Sequence, residues 1–494
     1  MLSPLYIAVD LGAGSGRVFL GGVGPGELML EEVHRFKYPP TEKDGHLRWP
    51  FGTIFSEILF GLGRASARGR EFHRPIASLG VDSWGVDYGL LDPDGKLIAE
   101  PVCYRDDRTV DAMAKAFRRI SRSEIFDKTG IQFLDFNTIF QLISESTDLE
   151  RVDRLLLLPD LINFFLTGIS VSEYTNSTTT QMVDAATGNW DFDLLSRMGI
   201  PSRILSPIVP AGTVLGPLRP AIAAELGLEG VQVTAPGTHD TASAIAGAPL
   251  NEGWAYISSG TWSLIGIERT ATLINAEVER FNFTNEGGVY GTTRFLKNVM
   301  GLWIFERCRR EWEQMGMETD YASLLHDVAE IEAIDSFIFP DDQRFLNPPS
   351  MLDAINGQLA ETGQGGIDEP AAVSKLIFDS LAFRYASVLT TIRSLTRANL
   401  SGVQILGGGG RNRYLNQLTA DASGLTARAG LVEATVVGNI LVQAVASGRF
   451  ASLSEARRHV TDNFEFEEFK PRDSPRVAAA AERYAEIEAQ FLAA

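Results

Sequence analysis

Residues 7–20 read Ile-Ala-Val-Asp-Leu-Gly-Ala-Gly-Ser-Gly-Arg-Val-Phe-Leu, two apolar runs joined by a glycine-rich turn in which Asp10 is the only acid. Gly12, Gly14 and Gly16 have the outline of a dinucleotide fingerprint. That fingerprint needs a helix directly after the glycines, because the helix N-terminus holds the pyrophosphate. Here Arg17-Val18-Phe19-Leu20 alternates as a strand does, and Gly21, Gly22, Gly24, Pro25 and Gly26 follow, a composition that helix interiors exclude. The segment therefore predicts strand, tight turn, strand. Backbone N–H groups exposed in such a turn can hold phosphate oxygens, although an ordinary glycine hairpin has the same pattern.

The pattern restarts at Trp254. Ala255-Tyr256-Ile257 reads as a strand, Ser258-Ser259-Gly260-Thr261 as a turn and Trp262-Ser263-Leu264-Ile265-Gly266-Ile267 as a second strand. Two halves that each open on such a hairpin predict duplicated α/β domains, 1–248 and 249–494. Between these landmarks the periodicity predicts strands at 28–36, 76–81, 86–91, 231–235 and 403–406. It predicts helices at 53–67, 241–248, 371–396 and 414–422, helical structure through most of 111–167, and a loop tip at 361–366. The alanine-rich amphipathic helix 477–492 is a candidate to pack back on the first domain.

The net charge of −19 argues against nucleic-acid and anionic-membrane partners, which reward positive surface. An anionic substrate must then be captured by local groups and a metal. Cys103 and Cys308 lie far apart without metal-ligand spacing, no apolar run reaches the length of a membrane span, and no signal peptide is evident. These features predict a cytoplasmic protein.

Several segments have the chemistry of phosphate transfer, which needs an anion cradle, a metal, a base and a nucleoside platform. The turns at 12–17 and 258–261 offer N–H groups, Arg17 a charge and Thr261 a hydroxyl. Asp10 ends an apolar strand, where a carboxylate needs a partner: a hydrated Mg²⁺ or a salt bridge. Gly407-Gly408-Gly409-Gly410 follows a strand and precedes a helix, as a flat platform for a base or as a flexible loop. Asp240, after His239 and at a helix start, is a base or an N-cap. Asp82, Trp84, Gly85 and Asp87 follow a strand, where ligand loops of α/β sheets lie, with Trp84 either facing a sugar or simply buried. Tyr104-Arg105-Asp106-Asp107-Arg108 is a solvated turn or a wall of hydroxyl-binding groups.

In order, these residues resemble the FGGY carbohydrate kinases. The resemblance runs through Val9-Asp10-Leu11-Gly12-Ala13, the 82–87 and 104–106 segments, Gly130-Ile131-Gln132-Phe133, Glu173-Tyr174-Thr175-Asn176, His239-Asp240-Thr241-Ala242-Ser243, and 258–263. It continues through Thr284-Asn285-Glu286-Gly287-Gly288, Lys297-Asn298-Val299-Met300-Gly301-Leu302-Trp303 and 407–410, almost the whole chain. It implies an actin/hexokinase-like (ribonuclease H-like) two-domain α/β kinase fold, with a cleft that closes over ATP and sugar. It implies Mg²⁺-dependent transfer of the γ-phosphate to the 1-hydroxyl of L-rhamnulose. A kinase of L-fuculose or a pentulose, and an actin-fold nucleotide-binding regulator, are the alternatives. The resemblance gives Asp240 as proton acceptor, and Gly85, His239, Thr241 and Asn298 as sugar contacts. It gives Ala13, Gly14, Ser15, Gly16, Arg17, Thr261, Glu306 and Gly408 as nucleotide contacts, and Asp10 as the Mg²⁺ anchor through water. Lys297 reads as structural or at the pocket edge. Expected partners are the ketose and ATP, on a monomer or homodimer. Gly14 stands where the family pattern has serine, Glu306 where it has glutamine, and Thr419 and Ser423 where some members have cysteine. Glu306 is then expected to turn away from the nucleotide or to pair with Arg307 or Arg310.

Overall fold

The computed structural model describes residues 3–317, 319–331 and 335–492. They divide into two compact units. The first comprises residues up to Pro249 together with Glu268–Phe295 and Glu433–Phe464. The second comprises Leu250–Ile267, Leu296–Val432 and the chain from Glu465 onward.

In the first unit, β1 (Leu5–Gly12), β2 (Ser15–Gly24) and β3 (Glu27–Lys37) form the meander that the sequence predicts. β4 (Ile76–Ser83), β5 (Thr213–Pro217) and β6 (Gln232–Ala235) complete a six-stranded sheet in the order β5-β6-β4-β1-β2-β3. β1 is antiparallel to β2 and parallel to β4, and β4 is parallel to β6. Residues Leu5–Leu11 are buried without a polar alternation, because helices cover both sides of the central strand. One is Phe51–Glu71, whose Phe51, Ile54, Ile58, Leu62 and Ala65 recur at helical spacing and are buried. Another is Ala434–Ala446, from the far end of the chain.

Through that last helix the chain returns to the first unit, so each compact unit is assembled from separate segments. Helix Ala434–Ala446 crosses helix Asp240–Gly247 backbone to backbone: a Cβ placed on Gly438 would lie 1.7 Å from the Ser243 carbonyl oxygen, and one on Gly247 would lie 2.7 Å from that of Ala434. Gln443 then donates to the Ile7 carbonyl at 2.9 Å and accepts from the Ser78 hydroxyl at 2.6 Å. The segment 268–295 is tied to the same unit by Arg457, which pairs with Glu268 at 2.8 Å.

The second unit repeats the architecture. β7 (Trp254–Ser259) and β8 (Trp262–Arg269) form the second hairpin. With β9 (Thr293–Met300), β10 (Gly402–Leu406), β11 (Thr426–Ala429) and β12 (Glu467–Phe469) they run in the order β9-β8-β7-β10-β11-β12, with β7 parallel to β10. The division between units passes through β8 after Ile267 and through β9 after Phe295. The last helix, Pro475–Leu492, belongs to the second unit. Its Tyr484 is buried with Phe337 and Phe383, and its Glu488 pairs with the buried Arg384. Among the described residues, no helix is long and apolar enough to cross a membrane.

The helix crossing leaves no room for a methyl group. Gly438→Ala is expected to lower unfolding stability by about 3 kcal/mol or more, since overpacking against backbone cannot relax by a rotamer change. Gly52→Ala, at an exposed helical glycine with nothing within 4 Å of an added methyl, is expected to be neutral or to stabilise by up to about 1 kcal/mol. Denaturant unfolding of the two variants compares them directly.

Candidate functional site

Three carboxylates of the first unit come together where strands β1, β4 and β6 end. Asp10 and Asp82 are register partners on the parallel strands β1 and β4. The turn after β6 continues alongside β4: the Ser83 N–H donates to the Thr238 carbonyl at 2.9 Å, and Ser83 and His239 form a parallel bridge. Asp240 follows as the first residue of helix Asp240–Gly247.

Each acid is held differently. Asp10 is paired with Arg17, its register partner across the first hairpin, and Arg17 also pairs with Glu433. The salt-bridge reading of Asp10 is therefore realised, and the Arg17 guanidinium is already committed to two carboxylates. Asp82 is fully buried; burial and the Asp10 charge hold it well above the usual carboxylate range. Asn439 donates to its Oδ2 at 2.5 Å and opposes that shift, while Oδ1 is buried without a hydrogen-bond partner. Asp240 has 31% of its side chain exposed, and burial followed by the Asp10 charge raises it to about 7, against the N–H and hydroxyl of Thr241, which both donate to its Oδ1. The N-cap position belongs to His239, without a side-chain cap, so Asp240 is not the N-cap.

A residue whose role the sequence did not disclose fixes this turn. Glu173 is fully buried and accepts hydrogen bonds from the Thr238 N–H and hydroxyl at 3.0 and 2.8 Å, and from the Thr175 N–H and hydroxyl at 3.0 and 2.5 Å. The Thr175 hydroxyl in turn accepts from the His239 N–H at 3.2 Å. One carboxylate thus sets the backbone that presents His239, Asp240 and Thr241. The signal was local: an acid two residues ahead of the threonine-rich run 175–180 can satisfy the N–H groups that begin a helical turn.

The 82–87 segment is built around Asp87. Its Oδ2 accepts from the indoles of Trp49 and Trp84 at 2.6 and 2.9 Å and from the Tyr104 N–H at 3.2 Å; its Oδ1 accepts from Gln141 at 3.1 Å. Burial lifts Asp87 to about 6 and these bonds restrain the rise. Trp84 is buried and lies 4.6 Å, centroid to centroid, from Trp49. Val86 sits at φ 69°, a conformation that a β-branched residue adopts only under constraint. Its N–H donates to the Thr179 hydroxyl at 3.2 Å and its carbonyl accepts from Thr138 at 2.7 Å. A Cβ on the half-buried Gly85 would meet that Thr179 hydroxyl at 2.9 Å. The 104–108 cluster is not a solvated turn: Tyr104, Arg105 and Asp106 are buried, Asp106 accepts from the Leu47 N–H at 2.7 Å, and Arg108 pairs with Glu145 at 3.1 Å.

The first hairpin turn is braced from outside. The Tyr38 hydroxyl donates to the Gly12 carbonyl at 2.6 Å, and the Tyr38 N–H donates to the Gly14 carbonyl at 3.1 Å. Gly14 has φ 136°, which strains any residue with a Cβ, whereas Ala13 and Ser15 are free of that restriction. A Cβ on Gly16 would meet the Phe36 ring at 2.4 Å.

In the second unit, Thr261 is exposed at the turn between β7 and β8, and its carbonyl accepts from the Gly301 and Trp303 N–H groups at 3.1 and 3.2 Å. The glycine run is partly accounted for by this neighbour. Gly407 has φ 78°, and a Cβ on Gly409 would lie 2.0 Å from the Ser259 hydroxyl. Gly408 would have nothing within 4 Å of an added Cβ, so packing does not require its side chain to be absent. Glu306 pairs with Arg309 at 3.1 Å rather than with the expected Arg307 or Arg310; Arg309, three residues on, lies on the same face of the helix. Arg307 instead donates to the Pro348 carbonyl at 2.8 Å. Asn298 is half-buried on β9 in the second unit, whereas Gly85, His239, Asp240 and Thr241 belong to the first. Lys297 is buried.

The four hydrogen bonds that Asp87 accepts give a direct check of this scaffold. Asp87→Asn would turn an N–H₂ group toward donors and is expected to cost about 1–3 kcal/mol in unfolding free energy, with quenched or shifted tryptophan fluorescence reporting the loosened indoles.

Two family models cover the chain. Residues 5–247 match the N-terminal domain, and residues 255–447 the C-terminal domain, of the FGGY family of carbohydrate kinases. The rhamnulokinase of Bacteroides thetaiotaomicron is 41% identical over 473 residues, covering 95% of this chain and 96% of its own. That of Bacillus subtilis is 38% identical over 474 residues, covering 96% of each. Among solved structures, a gluconate kinase from Lactobacillus acidophilus superposes with a TM-score of 0.80 at 15% identity, covering 99% of this chain and 97% of its own. A ligand-bound xylulose kinase from the same organism gives 0.80 at 16% identity, with the same coverage. The fold is thus the two-domain sugar-kinase fold, and the chain belongs to the FGGY family of carbohydrate kinases, which phosphorylate sugars with ATP.

Proposed function

We propose that this kinase transfers the γ-phosphate of ATP to the 1-hydroxyl of L-rhamnulose, with Asp240 as general base. The observation that carries the substrate is the near-full-length similarity to rhamnulokinases, 41% over 95% of the chain. The observation that favours the base is the environment of Asp240, partly exposed and raised to about 7. A base poised near the working pH combines a useful ionised fraction with a useful proton affinity. Asp240 takes the proton of the attacking hydroxyl as the phosphoryl group arrives in line with the leaving oxygen.

His239, Thr241, Gly85 and Asn298 are the proposed sugar contacts. The turn residues Ala13, Gly14, Ser15, Gly16 and Thr261 offer backbone N–H groups and hydroxyls to nucleotide phosphates, and Gly408 an open backbone surface to the nucleoside. Arg17 acts by neutralising Asp10 and Glu433, beside the phosphates. Glu306 carries its own counter-charge in Arg309 and stands at the nucleotide edge.

A Mg²⁺ ion fits the acidic end of the first sheet. Asp10 and Asp82 lie side by side, and Asp82 Oδ1 is buried without a protein partner. Asp10 would hold such an ion through the ion's own waters, since Mg²⁺ keeps several waters and uses few carboxylates. Bound there, the ion would neutralise phosphate oxygens.

ADP release is the test, across L-rhamnulose, L-fuculose, L-xylulose, D-xylulose, L-ribulose, D-ribulose and glycerol. L-Rhamnulose is expected to give the highest kcat/KM; a higher value for any other acceptor overturns the substrate. Asp240→Asn is expected to retain ATP and sugar binding and to lose roughly 10²-fold or more in turnover. The acid limb follows from the sign of the shift. Asp240 works ionised, so kcat/KM for the sugar should fall as pH drops through the neighbourhood of 7. A limb at the ordinary carboxylate position of about 4 would assign the base elsewhere.

A further inference from the structure

Behind His239 lies a fully buried arginine that neither the sequence motifs nor the proposed chemistry uses. Arg294, on β9, is 0% exposed. Its Nε donates to the Gly287 carbonyl at 2.9 Å. Its Nη2 lies 2.9 Å from His239 Nδ1 and 3.1 Å from Glu286 Oε2, and its Nη1 is buried without a hydrogen-bond partner. All of these residues belong to the first unit. On its other side, the imidazole places Nε2 3.5 Å from Asp240 Oδ1.

An arginine has donors and no acceptor. A 2.9 Å contact from its Nη2 to Nδ1 therefore requires the lone pair of Nδ1, and the ring proton must sit on Nε2. We propose that Arg294 is a positioning residue of the sugar site: it locks His239 as the neutral Nε2–H tautomer, so that the imidazole offers one N–H donor beside the Asp240 carboxylate and has no free site to accept a proton. Burial and the adjacent guanidinium both disfavour the imidazolium. The charged groups that face the ring are Arg294 and Glu286 at Nδ1 and Asp240 at Nε2. Glu286 balances the arginine and cannot take Nδ1 as a donor while Arg294 holds its lone pair.

The arrangement divides labour. An Nε2–H donor next to the base can orient a substrate oxygen adjacent to the reacting hydroxyl. With Nδ1 blocked, His239 cannot compete with Asp240 for the hydroxyl proton. A histidine with a free tautomer would present a donor or an acceptor in turn, and a site built to donate would lose discrimination. This inference rests on the reading of the first unit as the sugar site, although the tautomer itself does not depend on which sugar is used.

The first measurement is made on the unaltered full-length chain. Nitrogen-15 NMR of histidine-labelled protein, with His239 assigned by comparison with His239→Gln, should show a neutral ring protonated at Nε2. A ring protonated at Nδ1, or a charged ring at pH 7, overturns the proposal whatever the enzyme phosphorylates. The second uses Arg294→Met and Arg294→Lys, the lysine keeping a donor. Arg294→Met is expected to lower kcat/KM for the ketose by about tenfold or more, with KM for ATP unchanged within about twofold, and to release the His239 tautomer. Arg294→Lys is expected to restore the Nε2–H form and part of the ketose kcat/KM. In a His239→Gln background the methionine substitution should have little further effect, because the two residues act as one. Equal losses for ATP and ketose, or full additivity with His239→Gln, would reduce Arg294 to a packing residue. If no ketose is phosphorylated by the unaltered chain, the substrate reading fails while the NMR result still decides the tautomer.

Discussion

Parallel strands that end together bring their last side chains together, and in this chain those side chains are acids. Asp10 and Asp82 are forced into adjacency by the β1–β4 register, and the turn after β6 adds Asp240. Burial first, and the Asp10 charge after it, raise the pKa of both Asp82 and Asp240. Much of what surrounds them manages that repulsion. Arg17 is supplied by the facing strand of the hairpin, and Glu433 shares it. Asn439, from a helix near the other end of the chain, donates to Asp82. That helix can come close enough because Gly438 and Ser243 meet backbone to backbone. A packing constraint between two helices is thus a condition for the electrostatics of the strand ends.

How much of this was legible depends on how local each cause is. The two hairpins were legible, because alternation after the glycines excludes a helix and both flanking strands are short-range patterns. The long helix Pro370–Thr396 and the strand ahead of the glycine run were legible for the same reason. The return of Glu433–Phe464 to the first unit was not, since the helix pattern of Ala434–Ala446 is the same whichever sheet it covers. Only the matching small residues at Gly438 and Gly247 carry that information, and they are far apart in sequence. Asp240 illustrates a middle case. Its place at a helix start was legible, but the cap lies one residue earlier, at His239, and that single step frees the carboxylate from a capping role. Glu306 shows the same sensitivity: its partner is the arginine three residues on, Arg309.

Buried polar groups account for most of what the sequence concealed. Glu173, Asp87 and Arg294 are each surrounded by donors or acceptors drawn from distant segments, and each fixes a backbone or a ring that the motifs contain. Their burial would be costly if those partners were missing, so the partners are as constraining as the motif residues themselves. The motif residues are legible in the sequence; the buried acid or arginine that contacts them is drawn from elsewhere in the chain.

The duplication sharpens this division. Both units place a hairpin next to a parallel strand, β1–β2 against β4 and β7–β8 against β10. The chemistry at equivalent places is opposite. In the first unit Asp10 faces Asp82 across the parallel pair; in the second Ser258 faces Leu406, and Gly407 follows. The first strand ends concentrate negative charge and repel an anion unless cations intervene. The second offer hydroxyls, exposed N–H groups and a glycine at position 408 with open space in front of it. The strand ends of the first unit thus carry carboxylates balanced by Arg17, and those of the second carry uncharged side chains. One topology used twice can serve a kinase because its two copies differ in the charge of a few residues at the ends of their strands.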